Sequence, residues 1–272
     1  MRIVNLIEDT KGVENCHYEH GLSFYIETKK HKLLLDTGAT NSFLENAQKL
    51  GVDLTKIDTV VISHGHYDHT GGVLSFTKIN SNAKIYIQKS AQGEFYNYRE
   101  QKEKYIGMDK KISLLEQVVF LEGDYVIDDE LSIFTGVKGR KLWPKGNEIL
   151  KKKCQNLFVQ DDFSHEQYLV ITQDNEKVLL SGCAHNGILN ILETFFQIYK
   201  TNPTSVISGF HMMKKDSYSH RDVQMIEETA HILKDMDTRF YTGHCTGEYP
   251  LEILKNIMGD KLTAIHSGET IF

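Results

Sequence analysis

The chain has 272 residues, enough for one large domain or a domain with an insertion, and its charged and apolar fractions are those of ordinary globular proteins. Its net charge of −6 argues against a general nucleic-acid binder, and no apolar stretch approaches the roughly 20 residues needed to span a bilayer. The four cysteines are scattered without a CxxC pair, and residues 1–8 lack the pattern of a signal peptide, so we expect a reducing, cytoplasmic setting.

Strand-like and helix-like segments alternate along most of the chain. The first third predicts a strand over residues 1–8, a hairpin over 22–27 and 32–36, a helix over 42–50, and strands over 58–62 and 84–88. Asn41 and Gly51 are suited to begin and end that helix. After residue 157 the pattern predicts strands over 167–172, 177–181, 205–208, 239–242 and 262–266 and helices over 187–199, 220–236 and 249–258. Such alternation is typical of an α/β protein.

Residues 90–156 interrupt this regular pattern and are richer in tyrosine and lysine. We therefore predict one domain over residues 1–272, in which a segment of about 90–156 is inserted as a cap over the substrate.

The densest polar cluster is Ser-His-Gly-His-Tyr-Asp-His-Thr-Gly-Gly, residues 63–72, directly after the predicted strand 58–62. His64 and His66 are two residues apart at a strand end and can project in the same direction. Asp68 and His69 come after the turn and can point to a second position nearby. Neutral imidazoles and a carboxylate are ligands of Zn, Fe and Mn, so the cluster predicts a metal site.

Other predicted strands also end in residues that can bind a metal. Asp36 is the last residue of the predicted strand 32–36. Cys183 and His185 follow the predicted strand 177–181, His211 follows 205–208, and His244 follows 239–242. Sites in α/β proteins gather beyond the carboxyl ends of the strands. We therefore expect these side chains to converge on the histidine cluster, although they are distant from it in sequence.

The motif His64-x-His66-x-Asp68-His69, together with Asp36 in Leu-Asp-Thr-Gly and the later strand-end residues, resembles the metallo-β-lactamase-fold superfamily. The resemblance implies an α/β fold of the four-layer αβ/βα sandwich type, with a dinuclear site at one edge of its two sheets. It implies two divalent metal ions, with zinc favoured over iron or manganese. His64 and His66 would bind the first ion, and Asp68, His69 and His244 the second.

Four segments are also similar to a narrower branch of that superfamily, named 7,8-dihydropterin-6-methyl-4-(β-D-ribofuranosyl)aminobenzene-5′-phosphate synthase. They are residues 19–24, 63–72, 182–187 and 242–247. This similarity implies a transferase with a diphosphate leaving group as one alternative.

Two ligand positions differ from the superfamily pattern. Many relatives have His-Thr-x-Gly for the third ligand of the first metal and Gly-Asp for the bridging carboxylate, where this chain has Phe163-Ser164-His165 and Gly182-Cys183. We favour His185 over His165 as the third imidazole. Cys183 is either a bridging thiolate or a small buried residue.

Two metal ions could lower the pKa of a shared water towards 7 and supply a hydroxide for hydrolysis of a phosphoester, ester or lactone. Asp68 would orient that hydroxide, and Asp36 would accept an imidazole N–H and fix the ring. Besides the hydrolase and the transferase, a metal-binding sensor without turnover is the third alternative.

The substrate is expected to be a small anionic molecule, with no nucleic-acid or membrane partner; the oligomeric state, monomer or homodimer, stays open. Residues 92–105 combine aromatic and basic side chains, including Arg99, and residues 138–153 contain a run of lysines that ends in Lys151, Lys152 and Lys153. We expect these lysines to favour an anionic ligand if the segment covers the metals. The residues expected to line the pocket are His20, Tyr67, Arg99 and His211, whereas His266 is expected to be structural.

Overall fold

The first half of the chain builds a six-stranded sheet, because its apolar segments are short, rich in β-branched residues and separated by turns. The computed structural model describes residues 1–100 and 102–272. In chain order, the elements of this half are β1 (Arg2–Ile7), β2 (Ser23–Glu27), β3 (Lys32–Leu35), α1 (Ser42–Lys49), β4 (Thr59–Val61), α2 (Tyr67–Thr70), α3 (Val73–Phe76), β5 (Lys84–Gln88), β6 (Glu94–Arg99), β7 (Lys102–Tyr105) and β8 (Val118–Leu121). The sheet order is β1-β2-β3-β4-β5-β8, antiparallel from β1 to β3 and parallel from β3 to β8.

The second half builds a seven-stranded sheet. Its elements are β9 (Tyr125–Val126), β10 (Leu131–Phe134), β11 (Leu150–Cys154), β12 (Leu157–Gln160), β13 (Tyr168–Gln173), β14 (Glu176–Leu180), α4 (Ile188–Tyr199), β15 (Ser205–Ile207), α5 (His220–Lys234), β16 (Arg239–Thr242), α6 (Glu248–Met258) and β17 (Leu262–Ala264). The sheet order is β17-β16-β15-β14-β13-β10-β9. Strands β14 to β17 run parallel, and α4, α5 and α6 connect them. Their carboxyl ends therefore lie at one edge of the sheet.

The turn between β13 and β14 agrees with its sequence. Gln173 pairs with Glu176, which leaves Asp174 and Asn175 as a two-residue loop. Both loop residues have positive φ, at 53° and 66°. Asp and Asn tolerate this backbone region, and such a loop matches the right-handed twist of the strands.

The two sheets pack face to face, and helices cover their outer faces. On β3, Leu33 and Leu35 point into the core between the sheets, whereas Leu34 points into the core beneath α1 and α3. A third core lies between the second sheet and α4, α5 and α6. The alternation along β3 places one apolar row on each face of the sheet. The predicted four-layer αβ/βα sandwich is confirmed.

Helix α1 begins and ends close to the predicted residues. Of the two residues predicted to cap it, only Gly51 behaves as expected. Gly51 follows the helix with a φ of +67°, which a glycine adopts at little cost. Asn41 precedes the helix, but its side chain makes no capping hydrogen bond. Among the described residues, no helix is long and apolar enough to cross a membrane.

A third, four-stranded sheet with the order β12-β11-β6-β7 lies beside the two large ones. It comes from two separate stretches, residues 94–105 and 150–160, and the intervening β8, β9 and β10 belong to the large sheets. The interval 90–156 is therefore not one continuous insertion. Phe95, Ile106, Leu150 and Phe163 form a small core beneath this third sheet.

Candidate metal centre

The residues that the sequence analysis identified as strand-end ligands meet at one edge of the two large sheets. Asp36 follows β3, the histidine cluster follows β4, and Cys183 and His185 follow β14. His244 follows β16. They meet because β3, β4, β14 and β16 are parallel strands of their sheets, whose carboxyl ends lie together.

A first group of donor atoms consists of three buried imidazoles. His64 Nε2 lies 3.0 Å from His66 Nδ1 and 3.3 Å from His185 Nε2. Nitrogens bound at 2.0–2.1 Å to a tetrahedral zinc ion are about 3.3 Å apart. All three rings are less than 5 % exposed. These two separations from His64 Nε2 and the burial of the rings suit metal ligands.

A second group surrounds the carboxylate of Asp68. Its Oδ2 lies 3.5 Å from the Nε2 atoms of His69, His244 and His20. His69 Nε2 lies 3.2 Å from Cys183 Sγ. In the described part of the chain, the buried Nε2 of His244 has no hydrogen-bond partner, as expected for an atom suited to bind a cation.

Cys183 lies between the two groups. Its sulfur lies within 4.8 Å of the donor atoms of Asp68, His69 and His244. It also lies within 4.8 Å of the donor atoms of His64 and His185. The side chain is 3 % exposed. This central position suits a bridging thiolate, which is the role that an aspartate plays in the pattern of the superfamily.

His185, rather than His165, lies beside His64. His165 uses both of its nitrogens elsewhere: Nδ1 accepts a hydrogen bond from the backbone N–H of Gly65 at 3.1 Å, and Nε2 lies 3.1 Å from Asp161 Oδ2. His165 thus contacts the loop that carries His64 and His66, and its ring nitrogen, an oxygen of Asp161 and a nitrogen of His66 lie within 4.8 Å of one another.

Nearly every inward-facing imidazole is held from behind by a hydrogen bond to its other nitrogen. Such partners orient a metal-binding histidine and fix its tautomer. The pairs are His64 with Ser63 Oγ at 3.0 Å, His69 with Asp36 Oδ2 at 2.7 Å, His185 with Asn147 Oδ1 at 2.9 Å, His244 with Asp9 Oδ1 at 2.5 Å and His20 with Asp9 Oδ2 at 2.8 Å. Sequence reasoning missed Asp9 and Asn147. Asp9 directly follows the predicted strand 1–8, which is the signal that could have identified it, whereas Asn147 lies in no recognisable motif.

Asp36 accepts the imidazole N–H that the sequence analysis assigned to it. It also accepts hydrogen bonds from the backbone N–H and the hydroxyl of Ser63, both at 2.7 Å, and it is fully buried. Its φ of +59° is uncommon for a residue other than glycine. Asp36 therefore joins the loop after β3 to the loop after β4 through three buried hydrogen bonds.

The electrostatics of the centre suit cation binding at most of its donors; the exception is His244, where burial is outweighed by Asp9 and Asp68, which hold the pKa well above its usual range. Burial and the neighbouring imidazoles hold the pKa of His64 well below its usual range, and burial lowers the pKa of His66 to about 3, so both rings are in the neutral form that binds metals. Burial opposes ionisation of Asp68, but His69 and His244 outweigh it and hold its pKa well below normal. Burial raises the pKa of the Cys183 thiol, so a thiolate there requires a cation.

A cavity of about 960 Å³ opens from the centre. Its floor includes Asp68, Cys183 and His185, and the third sheet contributes one wall. The four residues predicted to line a pocket all line this one: His20, Tyr67, Arg99 and His211. His266, expected to be structural, bonds to Thr10 Oγ1 through Nδ1 at 2.6 Å.

The lysine run 151–153 does not line the cavity, contrary to expectation. Lys151 donates to Gln160, Lys152 pairs with Asp162 at 2.6 Å, and Lys153 lies over the ring of Phe158 at 5.5 Å. These contacts keep all three on β11 and its neighbouring loop. The basic residues that do line the cavity are Arg99, Lys102, Lys104, Lys145, Lys214 and Lys215. Lys214 and Lys215 follow the strand-end His211 closely, which is the signal that could have identified them.

Comparison with known proteins gives four findings. The sequence profile of the metallo-beta-lactamase superfamily matches residues 19–144. The 7,8-dihydropterin-6-methyl-4-(beta-D-ribofuranosyl)-aminobenzene-5'-phosphate synthase of Methanocaldococcus jannaschii is 27 % identical over 290 residues, which cover 100 % of this chain and 96 % of the relative.

Among solved structures, Tm1679, described as a metal-dependent hydrolase of the beta-lactamase superfamily, superposes with a TM-score of 0.84 at 28 % identity. It covers 100 % of this chain and 98 % of its own. Zn(2+)-bound PqqB from Methylobacterium extorquens superposes with a TM-score of 0.58 at 11 % identity over the full length of both chains, which shows a shared fold.

Proposed function

We propose that this chain, which is similar to the metallo-β-lactamase superfamily, is an enzyme with two divalent metal ions that hydrolyses a small anionic ester, phosphoester or lactone. The observation that carries the proposal is the pair of donor groups that meet at Cys183. Imidazole and thiolate ligands favour zinc over manganese.

His64, His66 and His185 would hold the first ion, and Asp68, His69 and His244 would hold the second. Cys183 would contact both. When bound, paired divalent ions lower the pKa of a water towards 7 and polarise the bond to be cleaved.

Asp68 is the residue proposed for catalysis, because it is both a donor of the centre and part of the cavity floor. A carboxylate in this position can accept a hydrogen bond from the attacking water and orient it towards the substrate. Asp36 and Asp9 would act on the reaction through the imidazoles that they position.

The lining of the cavity supports an anionic substrate. Lys104 lies over the ring of Tyr67 with its Nζ 5.3 Å from the ring centroid, so cation and aromatic face occur together on one wall. Arg99 also forms a surface salt bridge with Asp216, with its Nη1 3.5 Å from Asp216 Oδ2. We propose that the third sheet is the cap that contacts the substrate, and that His20 and His211, which also line the cavity, contact it as well.

A transferase of the dihydropterin synthase type is the second candidate. It is supported by the similarity to the M. jannaschii synthase over the whole chain. In that reaction the metals would assist departure of a diphosphate. A sensor without turnover is less well supported, because a binding protein has no need of metal donors that are open to the cavity and could form a hydroxide. A cytoplasmic location and a small-molecule partner remain predictions.

One pair of measurements tests the proposal. Purified protein should contain about two metal ions per chain, and His66→Ala should lose much of this content, because it removes a buried donor of the first group. A matched control is His231→Gln, which changes an exposed imidazole on α5. Normal metal content in His66→Ala would contradict the assignment.

Activity then separates the two candidates. The hydrolase predicts turnover of phosphoesters or lactones that a chelator abolishes. The transferase predicts diphosphate release only when a dihydropterin diphosphate and an aminobenzene ribofuranosyl phosphate are both present.

A further inference from the structure

Two donors beside the paired centre are not assigned to either metal ion in the function proposed above. Cys245 follows β16 next to His244, and His211 follows β15; both side chains line the cavity. Together with Cys183, they offer two sulfurs and one imidazole nitrogen that all lie within 4.8 Å of one another. Both cysteines are 3 % exposed and neither forms a disulfide.

The backbone around this group is shaped to admit the second sulfur. A Cβ atom at Gly209 would come within 2.5 Å of Cys245 Sγ, so only glycine leaves space for the thiol. His211 and His244 both have a φ of +49°, an uncommon conformation for residues other than glycine. Such strain persists only where the surrounding structure holds it in place.

The polar atoms of the group are poorly satisfied by the protein. His211 Nδ1 is buried, and no described residue forms a hydrogen bond with it. Cys245 Sγ has a long contact of 3.5 Å with the carbonyl oxygen of Cys183. The rings of His185 and His211 are 4.1 Å apart, so the group directly adjoins the first set of metal donors. A buried polar atom without a partner, such as His211 Nδ1, is uncommon.

We propose that Cys183, His211 and Cys245 form a third metal position, beside the paired centre and open to the cavity. Two thiolates and an imidazole are a soft donor set, which selects zinc or a cuprous ion over magnesium, calcium or manganese. A thiolate can bridge ions, so Cys183 is shared with the pair; in this respect alone the inference rests on the proposed function. The cavity side leaves a fourth coordination position for a small ligand.

Cadmium provides a probe that reports both stoichiometry and thiolate bonds. The full chain is stripped of metal, titrated with Cd²⁺, and followed by native mass spectrometry and by the ultraviolet thiolate-to-cadmium absorption. The wild-type protein should bind about three ions per chain. Cys245→Ser and His211→Gln should each bind about two, and Cys245→Ser should lose about half of the thiolate absorption.

Controls match each variant. Cys154→Ser removes an exposed thiol at the end of β11, and His231→Gln removes an exposed imidazole; both should retain the wild-type count. Circular dichroism of each variant checks folding, and His211→Gln keeps the test valid if Cys245→Ser does not fold.

Three results would overturn the third position: a wild-type count of two, a count unchanged by both variants, or loss of every ion in both variants while they remain folded. Failure of the paired centre looks different. In that case His66→Ala would keep the wild-type metal content, whatever Cys245→Ser does.

Discussion

The metal centre and the third sheet line the same cavity but are built in opposite ways. The donors of the centre are buried and lie at the ends of strands in the two large sheets, and most of the imidazoles are backed by a hydrogen bond such as that from His69 to Asp36. In the third sheet, the edge strands β7 and β12 are mostly exposed, and surface contacts such as Lys152 with Asp162 hold it. The metal donors are therefore held in fixed positions by the two large sheets. Substitutions in the third sheet, which faces the substrate, should cost less stability.

The two regions are nevertheless joined at Asn147. This residue precedes β11, and its side chain both accepts from His185 Nδ1 at 2.9 Å and donates to the His185 carbonyl at 2.7 Å. The segment that leads into the third sheet thus holds one donor of the centre. Strands β7 and β12 are thus separate from the metal centre, whereas the segment that contains Asn147 is bonded to it.

The largest expected effect is that of Asp36→Ala. The change leaves two buried N–H groups and a hydroxyl without their acceptor, so we expect a loss of about 3–5 kcal/mol in the free energy of unfolding. Denaturant unfolding measures it. The exposed Asp237→Ala is the control, with a change below about 1 kcal/mol. A small effect at Asp36 would show that the centre is not braced as described.

Asn147→Ala tests where the two regions are joined. Since it removes the partner of His185 Nδ1, the affinity for the first metal ion should fall about 10- to 100-fold. Competition with a chromophoric chelator measures this affinity. Asn82→Ala, at an exposed position, should leave it unchanged. An unchanged affinity in Asn147→Ala would mean that the third-sheet segment does not support the centre.

The double variant Lys104→Ala and Lys215→Ala tests the wall. Both lysines line the cavity, so KM for an anionic substrate should rise about tenfold while kcat and metal content stay close to wild type. The matched control is Lys151→Ala with Lys153→Ala, on β11 outside the cavity. If the control pair raises KM instead, the corrected placement of the lysine run is wrong.

The smallest expected effect concerns a contact away from the cavity. His31 Nδ1 lies 2.8 Å from Asp58, and His31 Nε2 lies 2.7 Å from Asp128. Because Asp58 precedes β4 and Asp128 precedes β10, His31 links the two large sheets. Burial opposes protonation of His31, but the two carboxylates outweigh it and raise its pKa above 6.5. The protonated His31 therefore makes its full contribution to the free energy of unfolding below about pH 6.5. This contribution is lost as pH rises through the raised pKa of His31.

His31→Gln should consequently destabilise the protein by about 1 kcal/mol at pH 6 and by less at pH 9. Thermal unfolding at both pH values measures the difference. An equal effect at the two values would exclude a protonated bridge between the sheets.

Local sequence determined much of this protein. The apolar runs that became β3, β4 and β14, the turn at Asp174 and Asn175, and the position of donors directly after strands all depend on neighbours in the chain. Parallel strands then bring their carboxyl ends together, so the convergence of His64 and His185 could be predicted without coordinates. The four-layer arrangement followed from the resemblance in sequence.

Only the tertiary structure decided which partners stand behind those donors. Asp9 lies 235 residues before His244, and Asn147 lies 38 residues before His185. The direction of Lys152 depends on Asp162 and on strand pairing in the third sheet. Such contacts depend on the path of the whole chain, because a side chain's neighbours across a fold carry no periodicity or spacing that the sequence displays.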